Sequence, residues 1–289
     1  MRTSWGSATD RGRVRRLNED ALLAYPPVFL VADGMGGHEA GDVASALVVD
    51  EFSQLSGRGT ATVEDVHACF HRIADRLAEL LGDGRVAGTT VAGVAVADLD
   101  GGAYWLVFNI GDSRVYRLAA GELEQISVDH SVVQELLDAG DLSPSEAAVH
   151  PERHVITRAV GGGLVPEPDY WLIPAGTTDR LLICSDGLTS EVPDAALRSI
   201  LLERDDPQTA AQDLVRAALA AGGKDNVTAV VVDVARVPRS ADTEATAEAR
   251  AVRAGLPSTA PRPTWDDAVD GDTVPRPAGP AARTPEVIP

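Results

Sequence analysis

The chain has 289 residues, enough for one large domain or two small ones with a self-sufficient core. Its 44 Asp and Glu against 25 Lys and Arg leave a formal charge of −19, which excludes nucleic acid and anionic membrane as partners because both repel such a surface. Two cysteines, Cys69 and Cys184, exclude a disulfide framework and a four-cysteine zinc site, and no apolar run resembles a signal peptide or a membrane span, so a cytoplasmic protein is expected.

In chain order, apolar runs bounded by Gly or Asp predict a strand over 28–32 and then two helices of 3.6 periodicity. The first, over 40–54, places Val43, Leu47 and Val48 on one face; the second, over 63–81, places Val66, Phe70, Ile73, Leu77 and Leu80 on one face. Strands follow over 90–97, 104–110 and 115–118 with no helix between them, then over 180–184 and 227–234. Asp206-Pro207 opens a third helix, which Gly222-Gly223 stops. Consecutive strands without intervening helices argue for antiparallel sheets with helices packed outside, an α+β layered fold. Residues 127–178 read as an excursion from the sheets, and Cys184 as a small buried hydrophobe.

Beyond residue 236 the composition changes. Nine of the 18 prolines lie from Pro238 to Pro289, in a stretch almost without Leu, Ile or Phe. Such a segment cannot bury enough apolar area to offset chain entropy. The expected organisation is an ordered domain over 1–236 and a Pro/Ala/Thr-rich disordered tail over 237–289, with room for a short helix over 241–254.

Acidic residues recur at strand ends. Arg15 and Arg16 stand just before Glu19-Asp20. Asp33 ends the first apolar strand and is followed by Gly34, Gly36 and Gly37. Asp112 ends another strand, Asp186 a third, and Asp225 directly precedes a fourth. Singly, each is an ordinary turn signal. If the strands are neighbours, the carboxylates meet at one edge and repel one another unless a cation sits among them. Carboxylates and backbone carbonyls suit Mg²⁺ or Mn²⁺ rather than zinc, and Gly34 lets the backbone approach closely enough to offer its own carbonyl.

These residues also carry a resemblance. Gly12-x-Val14-Arg15-x-x-Asn18-Glu19-Asp20, Asp33-Gly34-Met35-Gly36-Gly37-His38, Ala87-Gly88-Thr89-Thr90, Gly111-Asp112-Ser113-Arg114, Ser185-Asp186-Gly187-Leu188 and Gly223-x-Asp225-Asn226-Val227-Thr228 occur in order. Over roughly residues 5–235 the chain resembles a bacterial metal-dependent 2C-type (PPM) Ser/Thr protein phosphatase. The resemblance implies a β-sandwich of two antiparallel sheets flanked by helices, and hydrolysis of phosphoserine and phosphothreonine by a water shared between two metal ions, Mn²⁺ or Mg²⁺. It implies that Asp33 bridges the ions, that the Gly34 carbonyl binds one, and that Asp186 and Asp225 complete the other. Glu19 would act through water, Asp20 would support the site, and Arg15 would hold the phosphate. Asp112 and Asp186 would hold a weaker third ion beside a flap over 141–163. The implied partners are phosphorylated proteins, Ser/Thr kinases and their substrates among them, met by a monomer.

The sequence departs from the family in places. Met35 stands where several relatives have a His, leaving His38 as the nearest. Ser190 stands where many have an acid, with Glu191 next. A cysteine-phosphatase loop is missing, since the sixth residue after Cys184 is Ser190 rather than Arg. Two alternatives stand beside this reading. A non-catalytic phosphoprotein-binding module predicts loss of metal-site Asp residues, yet Asp33, Asp112, Asp186 and Asp225 are all present. A phosphatase of anti-sigma-factor antagonists fits the Arg15 motif and the flap less well.

Overall fold

Side chains alternate along the predicted strands, and the protein, seen here in a computed structural model, packs both faces of most of them. The structure describes residues 1–36, 40–81, 87–163 and 165–236, with three short strands beyond. Strands β1 (Arg2–Asp10), β2 (Asp20–Tyr25) and β3 (Val28–Met35) lead into helices α1 (Ala40–Ser53) and α2 (Val63–Leu81). Then come β4 (Gly88–Thr89), β5 (Val91–Leu99), β6 (Gly102–Ile110), β7 (Arg114–Ala119) and β8 (Glu122–Gln125). Helices α3 (Val132–Ala139) and α4 (Pro144–Ala147) precede β9 (Val160–Gly161), β10 (Asp169–Pro174) and β11 (Arg180–Cys184). Helices α5 (Asp186–Thr189), α6 (Asp194–Glu203) and α7 (Pro207–Ala221) lead to β12 (Val227–Arg236).

One sheet runs β1-β12-β11-β7-β8. The other runs β10-β6-β5-β3-β4-β9, with β2 on the flank of β3, and the pairings are antiparallel. Between the sheets Phe29, Val31, Val94, Trp105 and Val107 meet Val115, Leu181, Ile183, Val230 and Val232. The opposite faces of the same strands take the helices. Leu30, Leu106 and Phe108 pack under α1 and α2 through Val48, Phe52, Phe70 and Ile73, with Phe52 stacked on Phe108 at 5.4 Å. Leu182 and Val231 pack under α6 and α7 through Leu197, Leu201 and Leu214. Each such side chain contributes roughly 1.5–3 kcal/mol of burial. The expected sandwich flanked by helices is therefore the observed architecture.

Two expected helix-face residues lie outside that packing: Val43 is 43 % and Leu80 55 % exposed. The third helix starts as expected, with the Asp206 carboxylate accepting the Thr209 N–H at 2.8 Å and Pro207 in its first turn.

The excursion expected over 127–178 is shorter than the sequence suggested. It ends before β10, whose Tyr170, Trp171 and Ile173 are buried and which pairs with β6 from Asp169↔Asn109 to Pro174↔Tyr104. Strand β1 is too polar to announce itself, yet it pairs with β12 along its length, and a Cβ on Gly6 would collide with the backbone of Pro207 and Gln208. Three strands fall where the tail was expected to lack structure. β13 (Arg250–Arg253) pairs with β10, whose edge otherwise presents unsatisfied backbone groups, and β14 (Thr264–Asp267) pairs with β15 (Thr273–Arg276). Thus 250–253 is a strand, and the remainder of the helix considered over 241–254 lies outside the described residues, as does His38. Among the described residues no helix is long and apolar enough to cross a membrane.

Candidate metal centre

The antiparallel pairing of β2 and β3 sets Asp20 directly opposite Asp33. The backbone of Asp33 is pinned on its other side: its carbonyl accepts the Thr90 N–H and the Thr89 hydroxyl, each at 2.9 Å, and its N–H donates to Thr90 Oγ1 at 3.3 Å. The Gly34 N–H donates to the Glu19 carbonyl at 3.2 Å. A Cβ on Gly34 would collide with the Gly41 carbonyl, and one on Gly41 with the Glu19 carboxylate, so two glycines let the first turn of α1 settle onto these strand ends.

One amide ties the Arg15 loop to the start of β12. Asn226 Nδ2 donates to the carbonyls of Arg11 at 2.8 Å and Leu17 at 2.9 Å, and its Oδ1 accepts the Glu19 N–H at 2.8 Å. Beside it, Asp225 Oδ2 accepts from Arg15 at 2.7 Å. Gly12, at φ +79°, allows the loop this approach, since a Cβ there would strike the Asp225 carbonyl. Asp186 begins α5. The preceding Ser185 hydroxyl donates to Asp20 Oδ2 at 2.8 Å and accepts the Thr228 N–H at 3.0 Å.

Asp112 is held differently, on a turn gripped by the side chains of consecutive residues. His130 Nδ1 accepts the Gly111 N–H at 3.1 Å, and Asp129 binds the Arg114 guanidinium with contacts from 2.6 to 3.0 Å. Ser113 shares a 2.7 Å hydrogen bond with Thr90. The same segment is tied to the stretch expected to form a flap: Ser131 caps α3 and bridges to Ile156, and the Thr157 N–H donates to the His130 carbonyl at 2.8 Å.

The result is one cleft lined by Arg15, Glu19, Asp33, Gly34, Asp112, Asp186 and Asp225, joined by Met35, Thr90 and Asn226 and, from the flap, His154 and Ile156. Asp20 is not part of this lining and sits behind it. Its Oδ2 accepts from Ser185 and Thr228, while its Oδ1 is buried without a partner. Burial, only partly offset by those two hydroxyls, pushes its carboxyl up to about 7. Asp33 is raised well above the carboxylate range, first by desolvation and then by the charges of Asp20, Asp186, Asp225 and Asp112. Mutual repulsion and an orphaned buried oxygen are what a multivalent cation relieves, so the donor set fits a hard divalent ion. Among the described residues no three His, Cys, Asp or Glu side chains lie close enough together to hold one in this geometry. Arg15 partners Asp225 at 2.7 Å.

Ser190 and Glu191 face elsewhere. The Ser190 hydroxyl donates to the Asp186 carbonyl at 2.8 Å, and Glu191 lies against Lys224 at 3.7 Å. Burial pushes the Cys184 thiol up to about 12, which suits packing and not nucleophilic attack. Sequence reading missed His154, in a charged run that looks like surface loop, and the grip of Asp129 and His130. Their only signal was three consecutive polar residues ahead of a helix.

Comparison with known proteins gives the same picture. Residues 11–221 match the family model described as protein phosphatase 2C. The chain is 36% identical over 239 residues to the serine/threonine phosphatase stp of Listeria welshimeri, covering 78% of this chain and 93% of that protein. The crystal structure of the Mycobacterium tuberculosis serine/threonine phosphatase PstP/Ppp superposes with a TM-score of 0.74 at 37% identity, over 81% of this chain and 99% of that one. A structure of the PstP catalytic domain in complex with two manganese ions matches at 36% identity and a TM-score of 0.71, with 81% and 99% covered. The chain belongs to the protein phosphatase 2C family.

Proposed function

We propose that the chain hydrolyses phosphoserine and phosphothreonine in proteins with Mn²⁺ or Mg²⁺ as cofactor. The observation that carries this is the convergence of Glu19, Asp33, Asp112, Asp186 and Asp225, from strand ends far apart in sequence, on one cleft beside a single arginine, Arg15. Asp33 would be common to two ions, the Gly34 carbonyl would serve one, and Asp186 and Asp225 the other, with Glu19 acting through water. Asp20 would stiffen the site from behind through Ser185 and Thr228. Asp112 with Asp186 would hold a weaker outer ion. Divalent ions here supply charge neutralisation and an activated water for attack on phosphorus.

The chain's own residues do the rest. Arg15 binds phosphate oxygens, for which a planar guanidinium fork is matched. The loop tied down by Asn226 keeps Arg15 at the mouth, so the ester is oriented before reaction. The flap, through Ile156 and His154, borders the side where a phosphoprotein would enter. The reading extends to Ser/Thr kinases and their substrates as partners, and to a cytoplasmic monomer.

The test is hydrolysis of a phosphothreonine peptide and of a small aryl phosphate, each with excess chelator and with Mn²⁺ restored. Turnover of both should vanish and return. Full activity after exhaustive chelation would overturn the metal-dependent reading, and an inert protein with Mn²⁺ bound would favour a binding module.

A further inference from the structure

Helix α2 carries a feature that the phosphatase chemistry does not use. His67 and His71 stand one turn apart on its outer side and share a hydrogen bond between their Nε2 atoms at 3.0 Å. Two ligands about 2.1 Å from one ion and at right angles to it are themselves about 3.0 Å apart, so the pair has the bite of a chelate. The rings meet edge to face, with centroids 4.6 Å apart at 71°. His67 is oriented from behind: its Nδ1 lies 3.2 Å from Tyr170 Oη, on a side chain only 1 % exposed. With the N–H on Nδ1, that contact becomes a donated hydrogen bond and leaves the Nε2 lone pair facing outward, as in metal-ligating histidines generally. The helix beneath is anchored by Val66, Phe70 and Ile73, each fully buried.

The surroundings favour a cation. Glu64 stands one turn before His67 and Asp75 one turn after His71 on the same ridge. The neighbouring Arg72 and Arg76 are drawn onto Glu51 and Asp50, with contacts of 2.6–2.8 Å. None of His67, His71 and Tyr170 lines the carboxylate cleft.

We propose that His67 and His71 form a separate, bidentate site for a borderline divalent ion such as Ni²⁺, Cu²⁺ or Zn²⁺. The ion replaces the hydrogen bond between the two Nε2 atoms and takes both lone pairs, the ring that had donated shifts its N–H to Nδ1, and water completes the coordination. Imidazole pairs prefer these ions to Mg²⁺, whereas the cleft offers oxygen donors, so one chain sorts hard from borderline ions between two places.

The test is calorimetric titration of the full chain with Ni²⁺ in saturating Mg²⁺, which occupies the cleft without competing for imidazole. One Ni²⁺ per chain should bind to the unaltered protein. His71→Ala and His67→Asn should each weaken it by about tenfold or more, because removing either ring abolishes chelation. His71 is exposed, so its replacement leaves the fold and the turnover of an aryl phosphate intact. With Cu²⁺, the electron paramagnetic resonance spectrum should show coupling to two imidazole nitrogens, reduced in His71→Ala. Unchanged Ni²⁺ affinity in His71→Ala, or binding abolished by Asp33→Asn alone, would place the ion in the cleft and overturn the proposal.

Discussion

Asp33 and Asp112 both stand at or just beyond a strand end, yet the protein holds them by different means. Asp33 belongs to β3 and is fixed by main-chain bonds to Thr90 and by pairing with β2. Asp112 sits on a turn whose two ends are gripped by the side chains of His130 and Asp129, residues that immediately precede the cap of α3. Asp33 therefore inherits the rigidity of a sheet, and Asp112 the position of the segment that starts at Asp129 and His130. A sheet cannot shift one residue without breaking its ladder, whereas a turn held by side chains moves with whatever holds them.

The largest test of the inner region is Asp33→Asn, which removes the charge proposed to be common to two ions. Turnover should fall about a thousandfold, corresponding to about 4 kcal/mol of transition-state stabilisation. Retention of a tenth of the rate with Mn²⁺ would end the inner–outer distinction.

The inner cluster should also show a pH signature when stripped of ions. The Asp20 pKa is raised from 3.8 to about 7, so the stability linked to this group is present below its ordinary value and lost as pH rises through about 7. Thermal midpoints of chelated protein should fall between pH 5 and 8, and Mn²⁺ should restore more at pH 8 than at pH 5. A flat profile would mean that burial does not hold the Asp20 carboxyl protonated.

Arg15→Ala samples the mouth. Loss of a charge-assisted bond to phosphate should cost about 1.5–3 kcal/mol and appear mainly as a ten- to hundredfold rise in KM. An unchanged KM would make Arg15 only the partner of Asp225.

The outer region should respond more gently. His130→Ala leaves the Gly111 N–H without its acceptor, a penalty of about 1–3 kcal/mol, and should lower kcat by about tenfold while two tightly held ions remain. Asp112→Ala should do the same. His130→Asn, which returns an acceptor near the place of Nδ1, should recover part of the loss. If His130→Ala emptied the tight sites, the outer turn would belong to the inner centre.

The smallest effect is expected from the tail. No residue lining the cleft lies beyond Asn226, so a chain ending at Arg236 should keep its turnover on a small aryl phosphate. Loss of cooperative unfolding would show that β13 on the β10 edge contributes to the domain.

The acids were legible because each sits beside a run such as Val28–Ala32 or Val227–Val232, whose composition permits little but a buried strand, and because glycines mark where backbones must approach. What those residues do to one another was not legible. Glu19 and Asp20 are neighbours, yet one lines the cleft and the other supports it from behind, since successive residues on an extended backbone face opposite ways. Glu191 stands next to the position where many relatives have an acid, yet the chain just past α7 brings Lys224 to it at 3.7 Å. Strand β1 is polar and was invisible by pattern; β12, more than 200 residues away, makes it a strand. His130 reads as a loop residue, and only the return of the chain past Gly111 gives its ring a donor to accept from. Local composition determined where strands end and where charge collects, because burial and turn chemistry are properties of short segments. Tertiary structure decided which charges meet, because each meeting is a contact between segments that the chain brings together only when the whole sandwich closes.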